Sequence, residues 1–136
     1  MGGFDDVLAA NEEYARTFAL GGLTGRAGKG LAVLTCMDSR IEPLQMLGLV
    51  PGEAKILRNA GARVDEGVIA ALALGHERLD VTRAMDVAHT DCAATGPHER
   101  EETLRRDVAR LRSELASVDA GGYVYDVETG VLTQLC

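Results

Sequence analysis

One segment, LAVLTCMDSR at positions 31–40, restricts the fold of this 136-residue chain more than any other. It begins as a short apolar run preceded by glycines, a pattern that favours a buried strand over a helix. Directly after the run come Cys36, Asp38 and Arg40, each two residues apart. Ligands of open α/β sheets bind at the carboxyl ends of the strands. The segment therefore predicts a strand that brings a thiol, a carboxylate and a guanidinium to one pocket, although a buried structural cysteine followed by a surface turn would give the same pattern.

A second segment, AMDVAHTDC at positions 84–92, also reads as a strand and ends in His89 and Cys92. Together with Cys36, these residues make a set of two thiolates and one imidazole, which suits zinc. Three protein ligands leave a fourth coordination position open, as in catalytic rather than structural zinc sites. The two strand ends therefore predict a catalytic Zn²⁺ site.

Composition narrows the possible partners. The net charge is −7, which argues against nucleic acid or an anionic membrane surface as a partner. No apolar run approaches the roughly 18 residues of a membrane span, and the first residues lack the pattern of a secretory signal. We therefore expect a cytoplasmic protein, in which three cysteines indicate a metal site rather than disulfides.

Helical and strand patterns alternate along the chain. In order, we expect a helix at 4–20, a strand at 31–35, a short helix at 43–47, a strand at 54–59, a helix at 65–79, a strand at 84–92, a helix at 99–118 and, after a break at Gly121 and Gly122, a hairpin of strands 123–127 and 131–135. This alternation predicts a single α/β domain at 1–136, with a mostly parallel β-sheet flanked by helices, an N-terminal helical arm at 1–22 and a C-terminal hairpin. The arm is expected to lie on this subunit or on a neighbouring one.

Four further side chains are not explained by the expected fold or by the expected zinc site. Asp86 lies inside an expected strand, where it needs a partner such as Arg83 or a strand that is less buried than its neighbours. His76 and His98 are expected at the surface, and His98 has a possible role in proton transfer. Cys136 has no evident partner.

Three motifs, in this order and at this spacing, resemble those of the β-class carbonic anhydrases: CMDSR at 36–40, RNAG at 58–61 and HTDC at 89–92. The resemblance covers most of the chain. It implies zinc held by Cys36, His89 and Cys92, and zinc-dependent reversible hydration of CO2 to bicarbonate. It also implies a homodimer or higher homo-oligomer with the site near the subunit interface.

The resemblance assigns roles to Asp38 and Arg40 as well. Zinc lowers the pKa of bound water to about 7, so that a zinc-bound hydroxide is available as the nucleophile at neutral pH. Arg40 would hold Asp38, and Asp38 would accept a hydrogen bond from the hydroxide and orient it. In the family this Asp can instead become a fourth zinc ligand and close the site. The substrate pocket is expected to include Asn59, Ala60 and Gly61, although core packing would also explain that motif.

Two further functions stay open at this stage. The chain could hydrolyse a related linear molecule, CS2 or COS, or it could be a non-catalytic zinc-bound assembly domain in which Asp38 closes the metal site. Departures from the family pattern bear on this choice. Ala93 stands where glycine is usual, which would cost about 1 kcal/mol if the position needs a positive φ. The segment after Cys92 is also shorter than usual, so that an element covering the site would be missing.

Overall fold

The computed structural model describes residues 2–136. Within this range, helices and strands follow in the order α1 (Asp5–Arg16), β1 (Leu31–Cys36), α2 (Pro43–Met46), β2 (Ala54–Asn59), α3 (Glu66–Arg78), β3 (Arg83–His89), α4 (Arg100–Glu114), β4 (Asp119–Tyr125) and β5 (Leu132–Gln134). The strands form one sheet in the order β2-β1-β3-β4-β5. The first four are parallel, and β5 is antiparallel to β4. The predicted α/β class with a mostly parallel sheet is confirmed.

Local sequence signals explain several element boundaries. The side chain of Asp65 caps α3 by accepting a hydrogen bond from the backbone N–H of Val68 at 2.8 Å. Pro43 begins α2, where its fixed φ is favourable. Gly48 follows that helix with φ +67°, a conformation that glycine adopts without steric cost. The predicted α2 and α3 are therefore found within one or two residues of their expected ends.

The two faces of the sheet are covered unequally. Alternate residues of β1 point to opposite sides, so that Ala32 and Leu34 pack with α3 and α4, while Leu31 and Val33 pack with apolar residues around α2. The first face carries the larger buried cluster. The second face leaves several large side chains only half-buried, namely Met46, Leu47, Leu49, Ile56, Met85, Tyr123 and Tyr125.

The predicted break at Gly121 and Gly122 is wrong, because both residues lie inside β4 and pair with β3. Their role there is steric. A Cβ at Gly122 would lie 3.0 Å from Val108 Cγ2 and 2.7 Å from the sulfur of Cys136. The missing side chain therefore lets α4 and the end of the chain approach the sheet closely.

Neither of the accommodations expected for Asp86 is found. Arg83 donates instead to the backbone carbonyl of Lys29, and Asp86 is only 1% exposed in a strand that has neighbours on both sides. Among residues 2–136, neither of its carboxyl oxygens has a hydrogen-bond partner. Burial raises the pKa of Asp86 well above its usual range, and the nearby Asp107 raises it further. The strand therefore tolerates this side chain as a neutral acid.

α1 differs from the other long helices because every one of its residues is exposed. Its apolar stripe, continued at both ends by Phe4 and Phe18, includes Val7, Leu8 and Tyr14, each more than half exposed. Within residues 2–136, no helix combines the length and the apolar character needed to cross a membrane.

Candidate metal centre

The sheet register brings three potential metal ligands together. Cys36 is the last residue of β1, and His89 is the last residue of β3. These strands are parallel neighbours, with Thr35 opposite Val87, so their carboxyl ends lie side by side. Cys92 follows three residues later, in the turn after β3. One donor atom from each of Cys36, His89 and Cys92 lies within 4.8 Å of the other two.

The donor geometry fits a zinc ion. The two sulfurs are 4.0 Å apart, close to the roughly 3.8 Å expected for two thiolates bound at tetrahedral angles with Zn–S bonds of about 2.3 Å. His89 is 1% exposed, and its Nδ1 lies 2.6 Å from the carbonyl oxygen of Thr90. Donation from Nδ1 to that carbonyl leaves Nε2 with a free lone pair, the usual arrangement of a zinc-bound histidine. In the described part of the chain, the buried Nε2 has no hydrogen-bond partner.

Backbone and arginine contacts fix the Cys36 side of the centre. The backbone N–H of Gly61 donates to the Cys36 sulfur at 3.3 Å. The guanidinium of Arg58 donates from Nε to the carbonyl oxygen of Cys36 at 2.9 Å and from Nη2 to that of Asp38 at 2.8 Å. These contacts hold the segment that carries both the thiol and the carboxylate.

The turn that carries Cys92 is fixed from the other side by the end of β4. The backbone N–H of Thr90 donates to the backbone carbonyl oxygen of Tyr125, and the Thr90 hydroxyl accepts from the backbone N–H of Val127, both at 3.0 Å. Asp91 adopts a left-handed conformation with φ +52°. This conformation contributes to a bend of the chain between the histidine and the cysteine.

Arg40 binds Asp38 through both carboxylate oxygens. Its Nε donates to Oδ1 at 3.0 Å, its Nη2 donates to Oδ2 at 2.8 Å, and its backbone N–H also donates to Oδ1. These hydrogen bonds hold the pKa of Asp38 far below its usual range, so the carboxylate is ionised at neutral pH. Asp38 Oδ2 lies 3.9 Å from Nε2 of His89, beside the proposed metal position.

Arg40 also reaches the second ligand segment. Its Nη1 donates to the carboxylate of Asp91, and its Nη2 donates to the Asp91 carbonyl, both at 3.1 Å. The same guanidinium therefore connects the segment after β1 to the turn after β3.

An open pocket of about 500 Å³ adjoins Cys36 and the carboxylate of Asp38. It is lined by Cys36, Met37, Asp38, Ser39, Arg40, Ala60, Ala93 and Ala94. Apart from Asp38 and Arg40, the walls of this pocket are mostly small side chains. A small molecule could therefore reach the centre from solvent.

The predicted pocket residues take three different positions. Ala60 lines the open pocket. Gly61 contacts the Cys36 sulfur, whereas Asn59 bonds to the backbone of Arg63. Ala93 lines the pocket without a positive φ, because the left-handed residue of this turn is Asp91.

His76, His98 and Cys136 lie outside the cluster of donors. The Nδ1 of His76 pairs with the carbonyl of Val81, and His98 is exposed in the loop before α4. The Cys136 thiol faces Gly122 of β4. The placements of His76 and His98 agree with the surface positions expected from the sequence.

Sequence reasoning missed four residues that shape the centre: Arg58, Arg63, Asp91 and Asp107. Arg58 and Asp91 were visible as members of the RNAG and HTDC motifs. Asp107 carried no signal, because an acid between arginines and apolar residues in α4 reads as part of a solvated helix face. Its side chain is in fact 7% exposed and bound to Arg63.

Comparisons with known proteins agree with this geometry. A family model described as carbonic anhydrase matches residues 31–124. Beta-carbonic anhydrase 1 of Mycobacterium tuberculosis is 32% identical over 158 aligned positions, which cover 96% of each chain. The crystal structure of carbonic anhydrase from Streptococcus mutans superposes with a TM-score of 0.89 at 29% identity, over 100% of this chain and 99% of the other. A carbon disulfide hydrolase of Acidianus is 38% identical over 88 residues, 65% of this chain and 42% of that enzyme.

Proposed function

The chain belongs to the β-class of the carbonic anhydrase family, and from this premise we propose that it catalyses the reversible hydration of CO2 to bicarbonate with Zn²⁺ bound by Cys36, His89 and Cys92. The observation that carries the proposal is the convergence of these three donors next to an ionised carboxylate in an open pocket. The bound metal would lower the pKa of a water molecule in its fourth position to about 7, which makes a nucleophile available at neutral pH.

Asp38 and Arg40 supply the orientation that the reaction needs. An ionised Asp38 can only accept hydrogen bonds, so it holds the proton of the attacking oxygen and leaves a lone pair free for the carbon of CO2. Arg40 fixes the carboxylate through two parallel N–H···O bonds. Because both carboxylate oxygens are bound to Arg40, this arrangement supports an active centre over one in which Asp38 serves as the fourth ligand.

Hydrolysis of CS2 is the second candidate function. The similarity to a carbon disulfide hydrolase favours it, since that similarity includes 65% of the chain. CO2 is the better supported substrate, because the similarity to the mycobacterial carbonic anhydrase extends over 96% of both proteins.

We further propose that the protein is a cytoplasmic homodimer or higher homo-oligomer. Two reduced thiols at the centre fit a reducing compartment. The exposed stripe of α1 and the half-buried sheet face around α2 are both apolar. Residues 2–136 of one copy leave both surfaces partly exposed, and a second copy can cover them.

The test is CO2 hydration by stopped flow, from mildly acidic to mildly alkaline pH, with metal analysis of each sample. Wild-type protein is expected to contain about one zinc per chain and to show activity that increases with pH. Cys36→Ala is expected to lose both. The matched control is Cys136→Ala, which removes the cysteine outside the centre and should keep both.

CS2 consumption is measured on the same samples. A zinc-loaded wild-type protein that hydrolyses CS2 and leaves CO2 unchanged would establish the second candidate. Zinc-loaded protein that converts neither CO2 nor CS2 would contradict an enzymatic function.

A further inference from the structure

We propose that Asn59 and Asp107 are positioning residues of the metal centre, because they fix the loop at 59–64 so that its Gly61 N–H donates to the sulfur of Cys36. The inference rests on the proposed zinc site and extends it to two side chains that reach neither metal nor substrate. One of them, Asp107, lies in α4, outside the motifs that supply the ligands.

The side chain of Asn59 forms hydrogen bonds across the loop that this residue begins. Its Oδ1 accepts a hydrogen bond from the backbone N–H of Arg63, and its Nδ2 donates to the Arg63 carbonyl, both at 2.8 Å. The side chain thus joins both ends of a five-residue turn and replaces the backbone hydrogen bonds of regular structure. The Gly61 N–H lies at the centre of this turn and points at Cys36.

Asp107 holds the same loop from α4. Its Oδ2 accepts from Nε of Arg63 at 2.8 Å and from the backbone N–H of Val64 at 3.1 Å. The Asp107 side chain is 7% exposed, so this ion pair is shielded from water on the carboxylate side. Burying a charge in this way is costly unless all of its hydrogen bonds are made, and here they are made to the one loop that contacts the thiol.

The backbone conformation of the loop indicates that it is held in place. Gly61 and Ala62 are both left-handed, with φ of +89° and +55°. An alanine in this region costs on the order of 1 kcal/mol, and Ala62 is only 2% exposed. Such a residue persists only where its surroundings fix it. Asn59 and Asp107 bond to the loop on either side of these two residues, and the result is an N–H directed at sulfur.

The hydrogen bond from Gly61 has a defined effect on the metal centre. A donor at the sulfur withdraws electron density from the thiolate, so it weakens charge donation to a bound metal and fixes the direction of the sulfur lone pairs. Loss of the donor should therefore move the thiolate-to-metal charge-transfer band to lower energy. A purely structural role of the loop would not produce that shift.

The experiment compares Cd²⁺-substituted wild type, Asn59→Ala and Asp107→Asn by ultraviolet absorption, with zinc affinity measured by chelator competition. Both variants are expected to shift the charge-transfer band to lower energy, because the sulfur loses its donor. They should also bind zinc about 10-fold more weakly, because the thiolate is no longer held in position. Asn59→Asp keeps the oxygen that accepts from the Arg63 N–H, and its shift should be smaller than that of Asn59→Ala.

The control is Val118→Ala, which removes methyl groups from the core next to the opposite end of the sheet. It should lower the unfolding temperature and leave the band unchanged. The inference is overturned if Asn59→Ala and Asp107→Asn give the wild-type band, or if Val118→Ala shifts it equally. Should Asn59→Ala fail to fold, Asp107→Asn and Asn59→Asp decide the question. A wild-type protein that binds neither metal contradicts the zinc site itself, which is a separate outcome.

Discussion

At the scale of single residues, Arg40 contributes orientation rather than stability. Its side chain is 44% exposed, and the carboxylate of Asp91 that it binds is 81% exposed. Ion pairs this open to water contribute little to folding. The value of Arg40 therefore lies in its planar fork, which fixes the carboxylate of Asp38 while holding the turn at Asp91.

Replacing Arg40 with lysine tests this role. Lysine keeps the charge but cannot donate two parallel hydrogen bonds to one carboxylate. We expect kcat/KM for CO2 hydration to fall by about 100-fold, with zinc content and unfolding temperature near those of the wild type. Arg26→Lys, at the exposed pair with Asp80, is the matched control and should keep full activity. An Arg40→Lys protein as active as the wild type would contradict the orienting role.

At the scale of elements, β3 combines a central position in the sheet with a buried acidic side chain. It lies between β1 and β4, ends in the metal ligand His89, and still carries Asp86 in its interior. The charged groups that influence Asp86 are Asp107, which raises its pKa, and Arg63, which lowers it less than burial raises it. Ionisation of this carboxyl therefore opposes the burial of the strand and lowers the stability of the fold.

The sign of the resulting pH effect follows from the raised pKa of Asp86. The unfolded chain releases this proton near pH 4, whereas the folded chain retains it to higher pH. The contribution of Asp86 to the free energy of unfolding is therefore complete below about pH 4. It is lost as the pH rises toward the pKa of Asp86 in the folded chain, at up to about 1.4 kcal/mol per pH unit. In Asp86→Asn this loss should disappear, so the variant becomes more stable than the wild type as pH increases.

Denaturant unfolding of the zinc-loaded proteins at several pH values measures this difference. Other titrating groups are common to both proteins and cancel in the comparison. Asp119→Asn, at the exposed start of β4, is the control and should follow the wild-type pH dependence. Parallel curves for wild type and Asp86→Asn would show that the buried carboxyl does not titrate in this way.

The elements that could be predicted from sequence are those whose local signals agree with their environment. β1 is a short apolar run preceded by glycine, and β2 is a short segment that follows the turn signal at Pro51 and Gly52. The ligand motifs have short, fixed spacings that place them at strand ends. Gly122 was misread because its local propensity indicates a break, while its tertiary role is to admit α4. Asp86 was misread and Asp107 was missed, because the burial of an acid depends on which loop and helix pack against it, and the periodicity of the sequence does not indicate that packing.

At the scale of the whole molecule, the main feature is that apolar side chains are covered on one face of the sheet and left partly exposed elsewhere. One face of the sheet is covered by α3 and α4, and the other by the four-residue α2 and the residues that follow it. α1, meanwhile, exposes Val7 by 57%, Leu8 by 60% and Phe4 by 74%. Both surfaces carry several large apolar side chains that are exposed or half-buried, which is the physical reason to expect association.

Leu8→Glu tests the proposed assembly through α1. A charge in the apolar stripe should block its packing on a second copy, and light scattering after size exclusion should then give the 14.4 kDa mass of one chain. Wild-type protein is expected at twice this mass or a higher multiple. Ala9→Glu places the same charge on the polar side of the helix and should assemble like the wild type. A monomeric wild type, or equal assembly of both variants, would contradict a role of α1 in the interface.

The connection between Cys92 and α4 has a consequence for how such a protein can change over evolutionary time. All three donors are anchored before this connection, by strand ends and by the backbone around Thr90, so a change in the number of residues beyond Cys92 need not displace them. A metal centre built this way tolerates insertion and deletion beside it, and lineages can remodel its entrance while inheriting the chemistry intact.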